Sequence, residues 1–187
     1  MKAILISIKP RYVADILNHK KVIEIRKSYP RCDLPIDVYI YCTKDNKNGL
    51  HWNTHKWVCV NNDTDVLKEI CFNGKVVAKF TLNKVEKINS YLEPEQWYKT
   101  NDTSGADLIK KSCLTFKELD DYLLSGNGYA WHIDNLEIFN KPKELSEFYG
   151  TKQYFVGCGN AIDNTPRYAQ LHRASQSWCY VEVELCH

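Results

Sequence analysis

The sequence predicts an α+β fold in which short strands dominate, namely a small, partly closed β-barrel with a few short helices flanking it. Three observations carry this expectation. About six or more segments are rich in β-branched and aromatic residues and end at Pro, Gly, Asn or Asp. Helical periodicity is confined to three short stretches. No repeat, low-complexity tract or linker divides the 187 residues, so a single domain is expected over 1–187.

The first strand is expected at Ala3 to Ile8 (AILISI), an apolar run stopped by Lys9-Pro10. Pro10 opens a helix reaching Asn18, because a missing N–H costs nothing in a first turn. Tyr12, Val13, Ile16 and Leu17 recur on it at helical spacing. Val22 to Lys27 then alternates, with Ile23 and Ile25 on one face and Val22, Glu24 and Arg26 on the other. That pattern fits a half-buried strand whose charged face is free for work. Asp37 to Thr43 is another strand, and Gly74 to Ile88 is one long strand or two in succession.

Between these strands, Lys44 to Asn73 has poor periodicity and is expected as an irregular surface insertion, apart from a strand at Trp57 to Val60. Ser104 to Lys111 reads as a capped helical turn. Thr115 to Leu124 reads as a helix, with Thr115 and Glu118 at capping-box spacing. Extended structure resumes from Gly128 to Phe139, and Trp178 to Leu185 closes the sheet. A second irregular insertion is expected at 151–176, rich in Gly, Asn and Pro, as a lid or flap.

Composition excludes several classes. Hydrophobic residues at 44% and charged residues at 26% are those of a chain that folds, not of a disordered or fibrous one. No run approaches the roughly 18 apolar residues of a membrane span, and the apolar run in MKAILISIKP is too short for a signal-peptide core. With eight cysteines scattered singly, reduced thiols and a cytoplasmic location are expected. A net charge of +2 is too small to mark a nucleic-acid binder by bulk electrostatics, so such a role must come from local clustering.

That clustering occurs at KKVIEIRKSYPR, where Lys20, Lys21, Arg26, Lys27 and Arg31 stand against Glu24 alone. Guanidinium offers two parallel donors and ammonium a compact charge, a combination suited to phosphate or carboxylate. Glu24 among these cations can accept from the exocyclic amine of a base, as acidic side chains do with cytosine. Lys21 and Glu24 are also candidates for general acid–base work. The spacing alone does not separate recognition from reaction. A solvated strand edge whose lysines discourage edge pairing would show the same pattern.

Lys21, Glu24 and Arg26, spaced K-x-x-E-x-R after a short helix, resemble the signature of ASCH domains, relatives of the PUA-like barrels. The resemblance runs on through YIYCTK, GKVVAKF, GYAWHIDNLEIFNKP and SWCYVEVEL, covering most of the chain outside 44–73 and 151–174. It implies a PUA-like barrel with a cleft lined by the motif, binding RNA or a nucleotide without a cofactor or metal. Lys21, Arg26 and Lys27 would then serve phosphate, Glu24 a base edge and Tyr29 a stacked base, with Lys20 among the ligand-binding residues. The family motif usually begins with Gly two residues before its Lys, a place held here by His19.

One branch of the family deacylates N4-acetylcytidine with the motif Lys, a Thr nucleophile and a distant Glu. Glu24 occupies the Thr position here and cannot be that nucleophile, so an amidohydrolase acting on an acylated cytidine needs Ser28, Thr43 or a Lys-activated water instead. A protein-interaction adaptor without a small ligand is a third class. Three further features point elsewhere. Trp131 and Trp178 are expected in the core rather than under a base. His51, His55 and Cys59 would approach zinc-ligand geometry only on a helix, and the segment lacks helical character. Cys158 in VGCGN, with His132 or His172, suggests a thiol nucleophile on composition alone.

Overall fold

The computed structural model describes residues 2–64, 67–68, 71–90, 98–124, 126–152 and 167–183. Among them, β1 (Lys2–Ile8) is the middle strand of a seven-stranded sheet in the order β10-β6-β3-β1-β13-β11-β12, formed with β3 (Ile36–Cys42), β6 (Val76–Leu82), β10 (Asp134–Lys143), β11 (Phe148–Lys152), β12 (Arg167–Gln170) and β13 (Trp178–Val183). Residues Ala3 to Ile8 are all buried, which is why the run is apolar on both faces rather than alternating. Ile4, Ile6 and Ile8 pack with Val38, Ile40 and Phe80 under the helix α1 (Pro10–Leu17). Ala3 and Leu5 pack on the opposite face with Tyr39, Phe148 and Val181.

A four-stranded sheet in the order β2-β9-β7-β8 comprises β2 (Ile23–Arg26), β7 (Val85–Ser90), β8 (Tyr98–Lys99) and β9 (Gly128–His132). The two sheets share one antiparallel ribbon. β6 continues into β7 across Asn83-Lys84 and β9 into β10 across Ile133, while β6 pairs with β10 and β7 with β9. The ribbon passes from one sheet to the other at these joints, and the result is the α+β, half-barrel architecture expected. The helices α2 (Gly105–Ser112) and α3 (Phe116–Leu123) cover the smaller sheet, burying Leu108, Leu119 and Leu123 against Ile23, Ile25 and Ile88. The capping box at Thr115 and Glu118 forms as its spacing predicts.

In the insertion at 44–73, the strand expected at Trp57 to Val60 is β5 (Lys56–Asn61), and a segment expected to be irregular supplies its hairpin partner β4 (Asn48–Asn53), in register from Asn48 opposite Asn61 to Asn53 opposite Lys56. Its turn residues Thr54 and His55 both have positive φ, 45° and 68°. A two-residue turn of that kind is usually written Asn-Gly, so Thr-His gives no turn signal in the sequence. Leu50 fixes the hairpin in the core, and Asn18 clamps it to α1 by donating to Trp57 O at 2.7 Å and accepting from Trp57 N at 3.0 Å. On strands, His51 and Cys59 face opposite sides of the hairpin, and His51 Nε2 is hydrogen-bonded to Asn62 Oδ1 at 3.1 Å.

In the segment expected as a lid, β12 pairs with β11 at the sheet edge, and Ser7 holds the following turn by donating to Ser175 O and Ser177 O. Those parts of 151–176 therefore belong to the sheet and its border. Cys158 lies outside the described residues. Among the described residues, no helix is long and apolar enough to cross a membrane.

Candidate functional site

The barrel is open where β2, the outer strand of the smaller sheet, faces the end of β1. Three local features bring the K-x-x-E-x-R residues to that opening. α1 ends at Asn18, and His19 takes φ 58°, the left-handed conformation for which a glycine is the usual choice. The chain reverses there with Lys20 N and Lys21 N both donating to Asp15 O. β2 then pairs with β9, Glu24 opposite Trp131 and Arg26 opposite Tyr129. Ile23 and Ile25 point into the core beneath α2 and α3, so the alternation sends Glu24 and Arg26 to the other face, toward the opening.

Lys21, Glu24 and Arg26 converge there. Lys21 Nζ lies 3.2 Å from Glu24 Oε2, and Arg26 Nη2 lies 3.0 Å from Glu24 Oε1. Lys21 Nζ also donates to Ser112 O at 2.7 Å and stands 5.4 Å from the centre of the Tyr12 ring. Arg26 Nη2 also donates to Ser7 O at 2.8 Å, joining β2 to β1 across the gap between the sheets. All three side chains are at least nine-tenths buried. Among the described residues, the buried Arg26 Nε has no hydrogen-bond partner.

These groups line a cavity of about 970 Å³, at the upper end of the size of small-molecule sites. Its walls come from the start of α1, the base of the β4–β5 hairpin, α3 and the turn before β13, with Tyr12, Thr43, Asn48, Cys59, Tyr122 and Ser177 among them. The hairpin therefore walls the cavity rather than wandering over the surface. Arg11 on α1 pairs with Glu118 on α3 at 2.8 Å, and both line the cavity. Glu118 is held below the usual carboxylate range, first by the Thr115 amide, with the Thr115 hydroxyl and Arg11 adding to it against burial. Asp45 is held low by the amides of Lys47 and Asn48.

The other residues singled out in the sequence are placed differently. Lys20 and Lys27 are exposed and outside the cavity lining, Lys27 Nζ standing 5.3 Å from the Tyr122 ring centre. Tyr29, 43% exposed, lies against Tyr129 with ring centroids 4.6 Å apart. Trp131 is fully buried, as expected, and packs against Trp178. Both indoles donate to Ser28, Trp131 to its carbonyl and Trp178 to its hydroxyl, and Ser28 does not line the cavity. Sequence reasoning missed the Ser7 and Ser112 carbonyls, which carry no side-chain signal, and the carboxylates Asp45, Glu118 and Asp121, which sit in segments read only for secondary structure.

A second polar cluster lies outside the cavity lining. Glu86 on β7 accepts from Thr100 and Thr103, each at 3.0 Å, and lies 2.5 Å from His132 Nε2 and 3.3 Å from Lys84 Nζ. Burial alone would raise Glu86, but hydrogen bonds from His132, Thr100, Thr103 and Lys84 outweigh it and hold the carboxyl at about 2. His132 is thus engaged by Glu86. Among the described residues, no group of three His, Cys, Asp or Glu side chains could hold a metal ion.

No protein-family model matches the chain, and no curated protein matches it. Among solved structures, its fold is similar to that of ASCH proteins, the class named above on the K-x-x-E-x-R segment. The crystal structure of ASCH from Zymomonas mobilis has 16% sequence identity and a TM-score of 0.49, covering 76% of this chain and 73% of that one. Two mutants of the same protein give 15% and 16% identity and TM-scores of 0.49 and 0.46, covering 78% and 76% of this chain and 77% and 74% of theirs.

Proposed function

We propose that the chain binds RNA or a nucleotide by seating a base in the cavity over Glu24. The observation that carries this reading is the way Glu24 is held. A buried carboxylate fixed by Lys21 on one oxygen and Arg26 on the other is oriented in advance, and a carboxylate has about four lone-pair sites. The sites left over suit the exocyclic amine of a base. Tyr12 and Tyr122, aromatic residues of the kind that stack on bases, are in the lining of the same cavity. The phosphate role that the sequence suggested for Lys21 and Arg26 passes in this reading to exposed Lys20 and Lys27, because both motif cations are spent on Glu24. Six free cysteines among the described residues accord with a reducing, cytoplasmic setting.

The amidohydrolase reading has one observation in its favour, the presence of Thr43 and Lys21 in the lining of the same cavity. It ranks second because Lys21 Nζ directs its protons at Ser112 O and Glu24, the geometry of a donor rather than of a proton acceptor. Fluorescence anisotropy of a labelled single-stranded RNA separates the readings. Binding that weakens as salt rises, and that Glu24→Ala abolishes, supports recognition. Release of acetate from N4-acetylcytidine by the wild type, lost in both Lys21→Ala and Thr43→Val, would establish the hydrolase instead.

A further inference from the structure

The segment that follows β2, Lys27-Ser28-Tyr29, lies on the surface but is anchored in the core. Ser28 is held twice by indoles, its carbonyl accepting from Trp131 Nε1 at 3.3 Å and its hydroxyl from Trp178 Nε1 at 3.0 Å. Trp131 is fully buried and Trp178 packs against it. The residues on either side of Ser28, Lys27 and Tyr29, are exposed. A rigid anchor therefore sets the direction of two surface side chains.

Both side chains stand at the margin of the cavity. Arg26, on the cavity floor with Lys21 and Glu24, is directly opposite Tyr129 in the β2–β9 ladder, and residues so paired share a face with Cβ atoms about 5 Å apart. Tyr29 lies on Tyr129 with ring centroids 4.6 Å apart and is still 43% exposed, so its ring is supported by protein while much of it meets solvent. Lys27 Nζ stands 5.3 Å from the centre of the Tyr122 ring, and Tyr122 is in the cavity lining. Among the described residues Lys27 forms no ion pair, so its charge is not committed to a protein carboxylate.

A supported aromatic ring and an uncommitted cation thus sit two residues apart beside the cavity. A nucleic-acid strand presents the matching groups in alternation, a base to stack and a phosphate to neutralise. A free nucleotide seated over Glu24 has no second base for Tyr29. A duplex keeps its bases stacked on one another, so only a single strand can serve the cavity and Tyr29 together.

We propose that the chain takes a single RNA strand rather than a free nucleotide, one base entering the cavity over Glu24, the adjoining base stacking on Tyr29, and the phosphate between them resting near Lys27. This rests on the base-binding reading and specifies the ligand. Ser28, Trp131 and Trp178 are then positioning residues, which fix the place of the second base before the strand arrives.

Calorimetric titration at low ionic strength compares cytidine 5′-monophosphate with the ribotrinucleotide CpCpC, which offers a neighbour on either side of the seated base. The two carry nearly the same charge, so the comparison isolates the added bases. The wild type is expected to bind CpCpC roughly tenfold or more tighter, as one stacked base supplies. Tyr29→Ala is expected to lose most of that ratio and Tyr29→Phe to keep it, because stacking needs the ring and not the hydroxyl. A merely structural fault would weaken both ligands alike and leave the ratio in place. Lys27→Ala is expected to lower the slope of log affinity for CpCpC against log salt by about 0.7, the share of one phosphate on a single strand. A wild type that binds the two ligands equally, a Tyr29→Ala variant that keeps the wild-type ratio, a Tyr29→Phe variant that loses it, or an unchanged salt slope in Lys27→Ala each overturns the proposal while base binding stands. If neither ligand binds the wild type, base binding itself fails and the proposal goes with it.

Discussion

Glu24 and Arg26, two residues apart on β2, form an ion pair of 3.0 Å inside the molecule, and the same guanidinium nitrogen reaches Ser7 O on β1. Arg26 therefore does two jobs. It neutralises half of a buried carboxylate, and it ties the outer strand of one sheet to the middle strand of the other at the place where the barrel fails to close.

The first prediction concerns what remains when the carboxylate goes. Glu24→Leu leaves Lys21 and Arg26 buried without a counter-charge, and breaking a buried pair in this way typically costs about 3–5 kcal/mol. The cost should appear in urea denaturation as a lower midpoint with an unchanged slope. Replacing all three residues with apolar side chains of similar volume should recover most of it. A Glu24→Leu cost below about 1 kcal/mol would mean that the cations relax into water, and the cavity floor described above would not exist.

The second prediction concerns acid. Glu86 sits at about 2 in the folded protein, against an ordinary value of 4.5. A carboxyl with a depressed folded value contributes stability that is complete above the unfolded value and is lost as pH falls through the folded one. Stability from this group should therefore be intact above about pH 5 and drain away between pH 4.5 and 2, by an amount on the order of 1–2 kcal/mol. Thermal melts of Glu86→Gln should fall less steeply across that window than those of the wild type. Parallel curves for the two proteins would show that other carboxylates govern acid unfolding.

How far the sequence foretold this depends on whether a residue's partner is local. β1, α1, β2, β3 and the helix capped by Thr115 were legible because each announces itself within a dozen residues, by an apolar run, a helical spacing or a cap. The convergence of Lys21, Glu24 and Arg26 was legible because strand alternation puts positions 24 and 26 on one face. The burial of their charges was not, since Ser112 O and Ser7 O come from distant elements and a backbone carbonyl has no sequence signature. Of the hairpin at 48–61 only the strand at Trp57 to Val60 was legible; β4 and the pairing were missed for a different reason, a turn built from Thr54 and His55 in left-handed conformation. β11 and β12 were missed because their pairing joins segments on either side of a long insertion.

A third prediction tests that hairpin. Asn18 is bound to both backbone groups of Trp57, a contact that gives α1 a grip on β5 and so positions Cys59 and Asn48 at the cavity wall. Asn18→Ala leaves Trp57 N and O to find water, costing about 1–3 kcal/mol. The loss should be local first, so hydrogen exchange should accelerate at the amides of 56–61 well before those of β1. Uniform acceleration across both segments would indicate that the hairpin and the main sheet open together.

The last prediction returns to the turn that delivers the motif to the cavity. His19 has φ 58°, a conformation that costs a residue with a Cβ on the order of 1 kcal/mol and costs glycine almost nothing. His19→Gly is therefore expected to be neutral or stabilising by up to about 1 kcal/mol, the relief of strain being partly offset by the greater freedom of glycine in the unfolded chain. His19→Val should destabilise by about 1–2 kcal/mol, because a β-branched side chain tolerates positive φ worst. The two variants also bear on the site, since Lys20 and Lys21 both hang their amides on Asp15 O immediately after this turn. If the turn sets the position of Lys21, His19→Val should weaken ligand binding as well as stability, whereas His19→Gly should leave binding unchanged. Equal stability of the two variants in urea titrations would show that the left-handed turn at His19 does not constrain the folded protein.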